Sequence, residues 1–136
     1  VLIDLAMAVT LSNLQILRLS SRSSSTSFLG RRFIEIIRSK EFTAAKAWGS
    51  RSIATMNGIT TKLHWTDQPY HWHINDGQEI FAVLDGSVDM FYKKEGKEQM
   101  TTLATGDIFY ASVGTEHVAY PQGEARILVI ESQGSV

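Results

Sequence analysis

The fold of this chain is decided by residues 71–86, which read HWHINDGQEIFAVLDG. The stretch begins with His71 and His73, continues through a turn-rich segment, and enters a strand-like run at Glu79. Side chains on a strand alternate between its two faces, so the two imidazoles point to the same side and Trp72 points to the other. This spacing indicates two histidines that act together at one site.

A further candidate ligand, His117, lies thirty-odd residues farther along the chain. Together with His71, His73 and Glu79 it makes a set of three imidazoles and one carboxylate. Such a set suits a divalent transition metal ion. We therefore predict one ion per chain, and Fe, Mn, Zn, Ni and Cu are all open because each of them accepts imidazole ligands.

The position of Glu79 supports this interpretation. It starts an apolar strand and shares a face with Phe81 and Val83. An inward carboxylate without a partner costs several kcal/mol or shifts its pKa, and a cation removes that cost. Phe81 is then the first candidate for the wall of a substrate pocket, and Tyr110 is the second.

These residues form two blocks that resemble the two motifs of the cupin superfamily. In chain order the resemblance is carried by His71, His73, Glu79 and Gly86, and then by Gly106, Gly114 and His117. The loop between His73 and Glu79 is longer than the family's usual one, and Ser112 stands where the family usually has proline.

The resemblance implies an all-β, double-stranded β-helix or jelly-roll barrel with a 3-His/1-Glu metal site. It implies a metal-binding single-domain protein, and two function classes are open. One is a dioxygenase-like metalloenzyme or an isomerase acting on a small, polar, oxygen-rich substrate. The other is a non-catalytic protein that binds or senses a sugar or acid. No catalytic residue is assigned, because one fold carries many activities.

The remainder of the chain after residue 48 also predicts β-structure. Short strand-like runs alternate with turn residues at regular spacing, which favours a sandwich or barrel over βαβ units. Asn57-Gly58 predicts a two-residue hairpin, since both of its positions need positive φ, and Asp85-Gly86 predicts a second hairpin between the runs around it.

Composition narrows the partners. The chain has 136 residues, a formal net charge of −1 and no cysteine. One domain with one core fits this length. Scattered basic residues favour neither nucleic acid nor a membrane surface as a partner. The lack of cysteine removes thiolate catalysis and is compatible with a cytoplasmic location.

The first 40 residues differ from the rest, and we predict a leader or N-terminal extension over 1–40 and a barrel over 41–136. A marginal amphipathic helix is followed by a Ser-rich tract at 20–27 that is too polar to pack. Serine and arginine with few acids also describe an organelle transit peptide.

Two further expectations concern surfaces. The run Glu79 to Leu84 is apolar on both faces, so a partner subunit should cover the outer one, and we predict a homodimer. On the run 59–65 the alternation leaves open whether Lys62 and His64, or their neighbours, face inward.

Overall fold

A computed structural model, which describes residues 32–135, contains nine β-strands after residue 48. A single turn of 3-10 helix at Ser39–Glu41 precedes them, and the described residues contain no α-helix. The strands are β1 (Gly49–Met56), β2 (Ile59–Thr66), β3 (His73–Ile74), β4 (Glu79–Asp85), β5 (Ser87–Lys94), β6 (Lys97–Ala104), β7 (Ile108–Ala111), β8 (Glu116–Pro121) and β9 (Ala125–Ser132).

The strands form two antiparallel sheets. The first has five strands in the order β1-β2-β9-β4-β7, and the second has four in the order β3-β8-β5-β6. Consecutive strands often lie in different sheets, which is the connectivity of a jelly roll. The predicted all-β jelly-roll architecture is confirmed.

The Asn57-Gly58 prediction is confirmed in its geometry. Asn57 has φ 51° and Gly58 has φ 77°, and they join the paired strands β1 and β2. Positive φ at both positions matches the twist of the flanking strands. Glu95 and Gly96 repeat this geometry between β5 and β6, with φ 53° and 74°.

The hairpin predicted at Asp85-Gly86 is wrong, because the strands on either side of it are not paired. β4 pairs with β7 and β9 in the first sheet, whereas β5 pairs with β6 and β8 in the second. The chain turns a corner here, after a register shift between Val83 and Asp85. Gly86 has φ 84°, and a Cβ on it would collide with the carbonyl oxygen of Glu124. Glycine is needed for a close approach of backbone to backbone, which a hairpin turn does not require.

The core lies between the sheets. Phe81 and Val83 of β4 are buried against residues such as Val88, Met90 and Ile127. Their inward direction places Glu79, two residues before Phe81, on the inner face as well.

Residues 37–135 pack as one unit. The Ser-rich tract and the helix predicted before it lie outside the described residues, and the boundary at 40/41 stays a prediction. Among residues 32–135, no helix has the length and apolar content that crossing a membrane would require.

Candidate metal centre and its cavity

Two histidines meet at one end of the four-stranded sheet. β3 and β8 pair antiparallel with His73 directly opposite His117, and their ring centroids lie 4.3 Å apart. Directly paired residues on antiparallel strands place their side chains on the same face. A two-residue strand, β3, is therefore enough to bring His73 beside a histidine that lies 44 positions later.

The carboxylate comes from the opposite sheet. Glu79 is the first residue of β4, and its Oε2 lies 3.3 Å from Nε2 of His117. One ligand atom from each of His73, Glu79 and His117 lies within 4.8 Å of the others. Glu79 is 8% exposed and His117 is 2% exposed. The three side chains thus form a set of two imidazoles and one carboxylate that spans both sheets, with Glu79 and His117 buried and His73 half-buried.

The distance between the ligand atoms of Glu79 and His117 fits a metal ion. Ligand atoms bound at about 2.1 Å to one ion lie about 3.0 Å apart in octahedral geometry and about 3.4 Å apart in tetrahedral geometry. The distance of 3.3 Å between His117 and Glu79 agrees with both. Nε2 of His117 would therefore be the ligand atom, whereas Nδ1 is buried without a hydrogen-bond partner among the described residues. An ion on Nε2 does not pair Nδ1, so the fit rests on the donor set and on the distance between Glu79 and His117.

His73 is prepared to bind through Nε2. Its Nδ1–H donates to the carbonyl oxygen of His71 at 3.1 Å, because a carbonyl can only accept. Such a bond fixes the tautomer of a ligating histidine and leaves the other nitrogen free. Burial lowers the pKa of His73, so the imidazole is neutral, as a ligand must be, over a wider range of pH.

The long loop between His73 and Glu79 is held at its start. Asn75 is buried, its N–H donates to the carbonyl of Thr115 at 3.0 Å, and its carbonyl accepts from Gly114 at 2.8 Å. These bonds tie the loop to the segment that leads into His117. The loop can therefore be longer than is usual in the resembling family while Glu79 still faces His117.

A cavity of about 240 Å³ adjoins the three residues. Clefts for drug-sized ligands usually hold about 300–1,000 Å³, so this one suits a smaller molecule. Phe81, predicted as a pocket wall, lies in the lining. The lining residues are Trp48, Lys62, His64, Tyr70, His73, Glu79, Phe81, His117, Ala119, Val129, Glu131 and Ser135.

The lining also contains Lys62, His64 and Glu131, which were not assigned to the site by the sequence. Lys62 and His64 come from β2, and Glu131 comes from β9 directly opposite Glu79. Burial lowers the pKa of His64, whose Nδ1–H donates to the carbonyl of Trp48 at 3.4 Å. Burial also raises the pKa of Glu131, and the nearby charge of Glu79 raises it further.

Two predicted residues lie apart from this group. His71 is exposed, and its ring centroid lies 4.1 Å from that of Tyr70 and 5.8 Å from that of His73. Tyr110 is 57% exposed and pairs with Ile80 on the outer face of β4. Its neighbour Phe109 faces inward, with its ring 5.5 Å from that of His117.

Trp72 lies where strand parity placed it, away from the cavity. It is 38% exposed, and the ammonium of Lys93 lies 5.7 Å from its ring. Trp48 behaves differently, because its ring joins the lining and makes an edge contact with Tyr70 at 5.0 Å. No strand alternation applies to Trp48, which has φ 60° just before β1, so the sequence carried no signal for its direction.

A scan of the sequence against protein-family models gives no match, and a search of curated proteins gives none either. Solved structures do match. A cupin-2 domain containing protein from Shewanella frigidimarina is 28% identical over 66% of this chain and 85% of its own, with a TM-score of 0.59. A cupin superfamily protein from Desulfitobacterium hafniense is 13% identical over 76% of this chain and 94% of its own, with a TM-score of 0.62.

A third match is a structure of Fe(II) HppE in complex with substrate. It is 16% identical over 61% of this chain and 53% of its own, with a TM-score of 0.53. The Desulfitobacterium hafniense protein and HppE are similar to this chain in fold alone, because their sequence identities are only 13% and 16%.

Proposed function

We propose that this chain, which has the cupin fold, binds one divalent metal ion through His73, Glu79 and His117 and uses it on a small oxygen-rich substrate. The observation that carries the proposal is the meeting of two imidazoles and one carboxylate from opposite sheets beside a cavity. A 2-His-1-carboxylate set with open positions is the arrangement of non-haem Fe(II) oxygenases. Metal-dependent oxygen chemistry is therefore the first candidate activity.

An ion held by this set, when bound, supplies Lewis acidity and open positions for oxygen ligands. The protein supplies the rest. Burial lowers the pKa of His73, which favours the neutral imidazole that ligation requires, and Glu79 is the carboxylate ligand of the set. Phe81 and Val129 exclude water on one side of the cavity, which strengthens electrostatic interactions inside it.

The neighbours in fold give further support. HppE has been solved with Fe(II) and with Co(II), each time in complex with substrate. This chain shares that fold, and its donor set would accept either metal. We therefore propose Fe(II) first among the ions that imidazole and carboxylate favour.

A metal-dependent isomerase is the second candidate, and the cavity favours it through two further groups. His64 is neutral at pH 7 because burial lowers its pKa, and Glu131 has a raised pKa. The raised pKa of Glu131 lies closer to neutral pH, which suits a general acid or base, and a neutral imidazole at His64 can accept a proton. Such a reaction would move a proton on the substrate and consume no O₂.

The two activities separate in one experiment. Purified protein loaded anaerobically with Fe(II) would be mixed with diketones, catechols, hydroxy acids and sugars, with and without O₂. Oxygen uptake coupled to substrate loss supports the oxygenase, and turnover or solvent deuterium exchange without O₂ supports the isomerase. If ligands bind the loaded protein and none is converted, the chain is a non-catalytic binding protein for a sugar or acid.

We also propose a homodimer formed through the outer face of the five-stranded sheet. Ile80, Ile108 and Tyr110 lie near one another there and are 37%, 66% and 57% exposed. Exposed apolar clusters of this kind often mark an interface between subunits. Sedimentation at micromolar concentration should give twice the chain mass, and a species of 15.2 kDa would contradict it. The cytoplasmic location stays a prediction from the sequence.

A further inference from the structure

Lys62 places a positive charge in the cavity beside the metal ligands. It lies on β2 opposite Val129 of β9, which in turn lies opposite Phe81 of β4. Residues in register across a sheet share a face, so Lys62 points the same way as Phe81, and all three residues line the cavity. The half-buried lysine therefore reaches into the interior space and not away from it.

No described residue forms an ion pair or hydrogen bond with the ammonium of Lys62. Its charge nevertheless affects the pKa values of two neighbouring groups, His64 and Glu131. Burial is the main cause that lowers the pKa of His64, and the charge of Lys62 lowers it further. Burial raises the pKa of Glu131, and Lys62 opposes that shift without contacting the carboxylate. A lysine in a cavity with donors that the described residues leave free is suited to an incoming anion.

The charges that line the cavity also favour an anionic ligand. Two carboxylates, Glu79 and Glu131, and one ammonium line it, and the proposed divalent ion would leave a net positive charge. Such an excess of positive charge favours a negatively charged ligand.

The distance limits the ligand's size. Lys62 and Phe81 lie on strands two places apart, and Glu79 lies two residues along β4 from Phe81, so the Cα atoms of Lys62 and Glu79 are about 12 Å apart. The four-carbon stem of lysine covers part of this gap. What is left accommodates a few bonds between the oxygen atoms on the ion and an anionic group on the ammonium.

We propose that Lys62 is an anion-binding residue, and that the ligand is a small acid with two ends. One end is an oxygen pair that binds the ion held by His73, Glu79 and His117, and the other is a second anionic group held by Lys62. This inference rests on the proposed metal site and adds the chemical class of the ligand. Carboxylate and phosphate share the required chemistry, and the test separates them.

The test uses three acids that share one α-hydroxycarboxylate group. Lactate has no second anion, malate adds a carboxylate, and 3-phosphoglycerate adds a phosphate. Each would be titrated by calorimetry into full-length, Co(II)-loaded protein after its Co(II) content has been measured. A charge-assisted hydrogen bond improves affinity by roughly 10–100-fold, so malate, 3-phosphoglycerate or both should bind at least about tenfold more tightly than lactate.

Lys62→Met should bring that ratio to about one and leave the Co(II) content unchanged, with a much smaller loss for lactate than for the acids that carry a second anion. Lys62→Arg should keep part of the ratio, because the charge is retained. Lys97→Met is the matched control, since Lys97 is an exposed lysine at the start of β6, and it should change nothing.

Each outcome decides something. If malate shows a gain in affinity that depends on Lys62, the anion is a carboxylate, and if 3-phosphoglycerate shows it, the anion is a phosphate. Equal affinities for all three acids in the unmodified protein overturn the role of Lys62 while leaving the metal site intact. An equal loss for all three in Lys62→Met would show that the lysine only supports the structure, and this too overturns the role. If the protein takes up no Co(II), the proposed function itself fails and the anion site fails with it.

Discussion

Glu79→Gln should separate the stability of the metal-free protein from the stabilisation that an ion adds. Glu79 lies directly opposite Glu131 in the β4–β9 ladder, and both line the cavity. Like charges directly opposite each other destabilise a sheet. The amide keeps an oxygen near Nε2 of His117, so we expect the metal-free variant to be as stable as the unmodified protein or slightly more stable.

The ion should stabilise the variant far less. At a free ion concentration of about 100 times Kd, a single site adds about 2.7 kcal/mol to the free energy of unfolding. Residues that merely support a ligand change metal affinity by about 10–100-fold, and a charged ligand should reach at least the upper value. At the same ion concentration the variant would then gain only about 0.4 kcal/mol. For a domain of about 100 residues, the ion should raise Tm by roughly 10–20 °C in the unmodified protein and by roughly 2–3 °C in Glu79→Gln.

Thermal unfolding followed by circular dichroism, with Co(II) or with a chelator, measures both quantities. Glu98→Gln, which removes an exposed carboxylate from β6, is the control and should behave like the unmodified protein. An equal rise in Tm for Glu79→Gln and the unmodified protein would remove Glu79 from the site. A loss of several kcal/mol in the chelated variant would show that protein partners, and no ion, account for the buried carboxylate.

Two further predictions concern the fold and the cavity. Gly86→Ala should lower the free energy of unfolding in denaturant more than Gly96→Ala does. Both positions have positive φ, which costs alanine about 1 kcal/mol, but only at Gly86 would the Cβ collide with backbone. Equal losses would refute the corner geometry. His64→Gln should reduce the pH dependence of stability of metal-free protein. The pKa of His64 is lowered on folding. The stability that His64 contributes is therefore fully present above its unfolded pKa of 6.5 and is lost as pH falls through its folded pKa. Unchanged slopes of unfolding free energy between about pH 5 and pH 6.5 would show that His64 titrates as it does in the unfolded chain.

Much of the fold and part of the site could be predicted from local pattern. Asn57-Gly58 defines its own turn, because the two residues adopt φ values that few others tolerate. The inward direction of Glu79 followed from strand parity with Phe81. The positions of His73 and His117 depend on a strand pairing, but each lies in a motif whose spacing indicated it.

The remainder could not be predicted because it depends on contacts between distant strands. Asp85-Gly86 has the composition of a hairpin turn, and only the collision with Glu124 reveals a corner between sheets. Lys62 is half-buried on a strand whose other face carries the buried Leu63, so alternation does not distinguish inside from outside. Glu131 enters the site through its register with Glu79, which no local signal encodes.

His71 shows a limit of the parity rule. The rule holds within a strand, but β3 begins only at His73, and the chain before it is not extended in the sheet. The ring of His71 packs beside Tyr70. The four-ligand set predicted from the sequence and the three-ligand set proposed from the geometry therefore differ in this one residue.

The most direct test of the metal centre is the metal content of four proteins after loading with Co(II) and desalting at pH 7.5. We expect about one ion per chain in the unmodified protein and in His71→Ala, and little or none in His73→Ala and His117→Ala, because a site that loses one of three ligands no longer holds a divalent ion tightly. Circular dichroism should show that all four remain folded. A loss in His71→Ala as complete as in the other two would establish the four-ligand set. Full metal content in folded His73→Ala and His117→Ala would contradict the proposed centre.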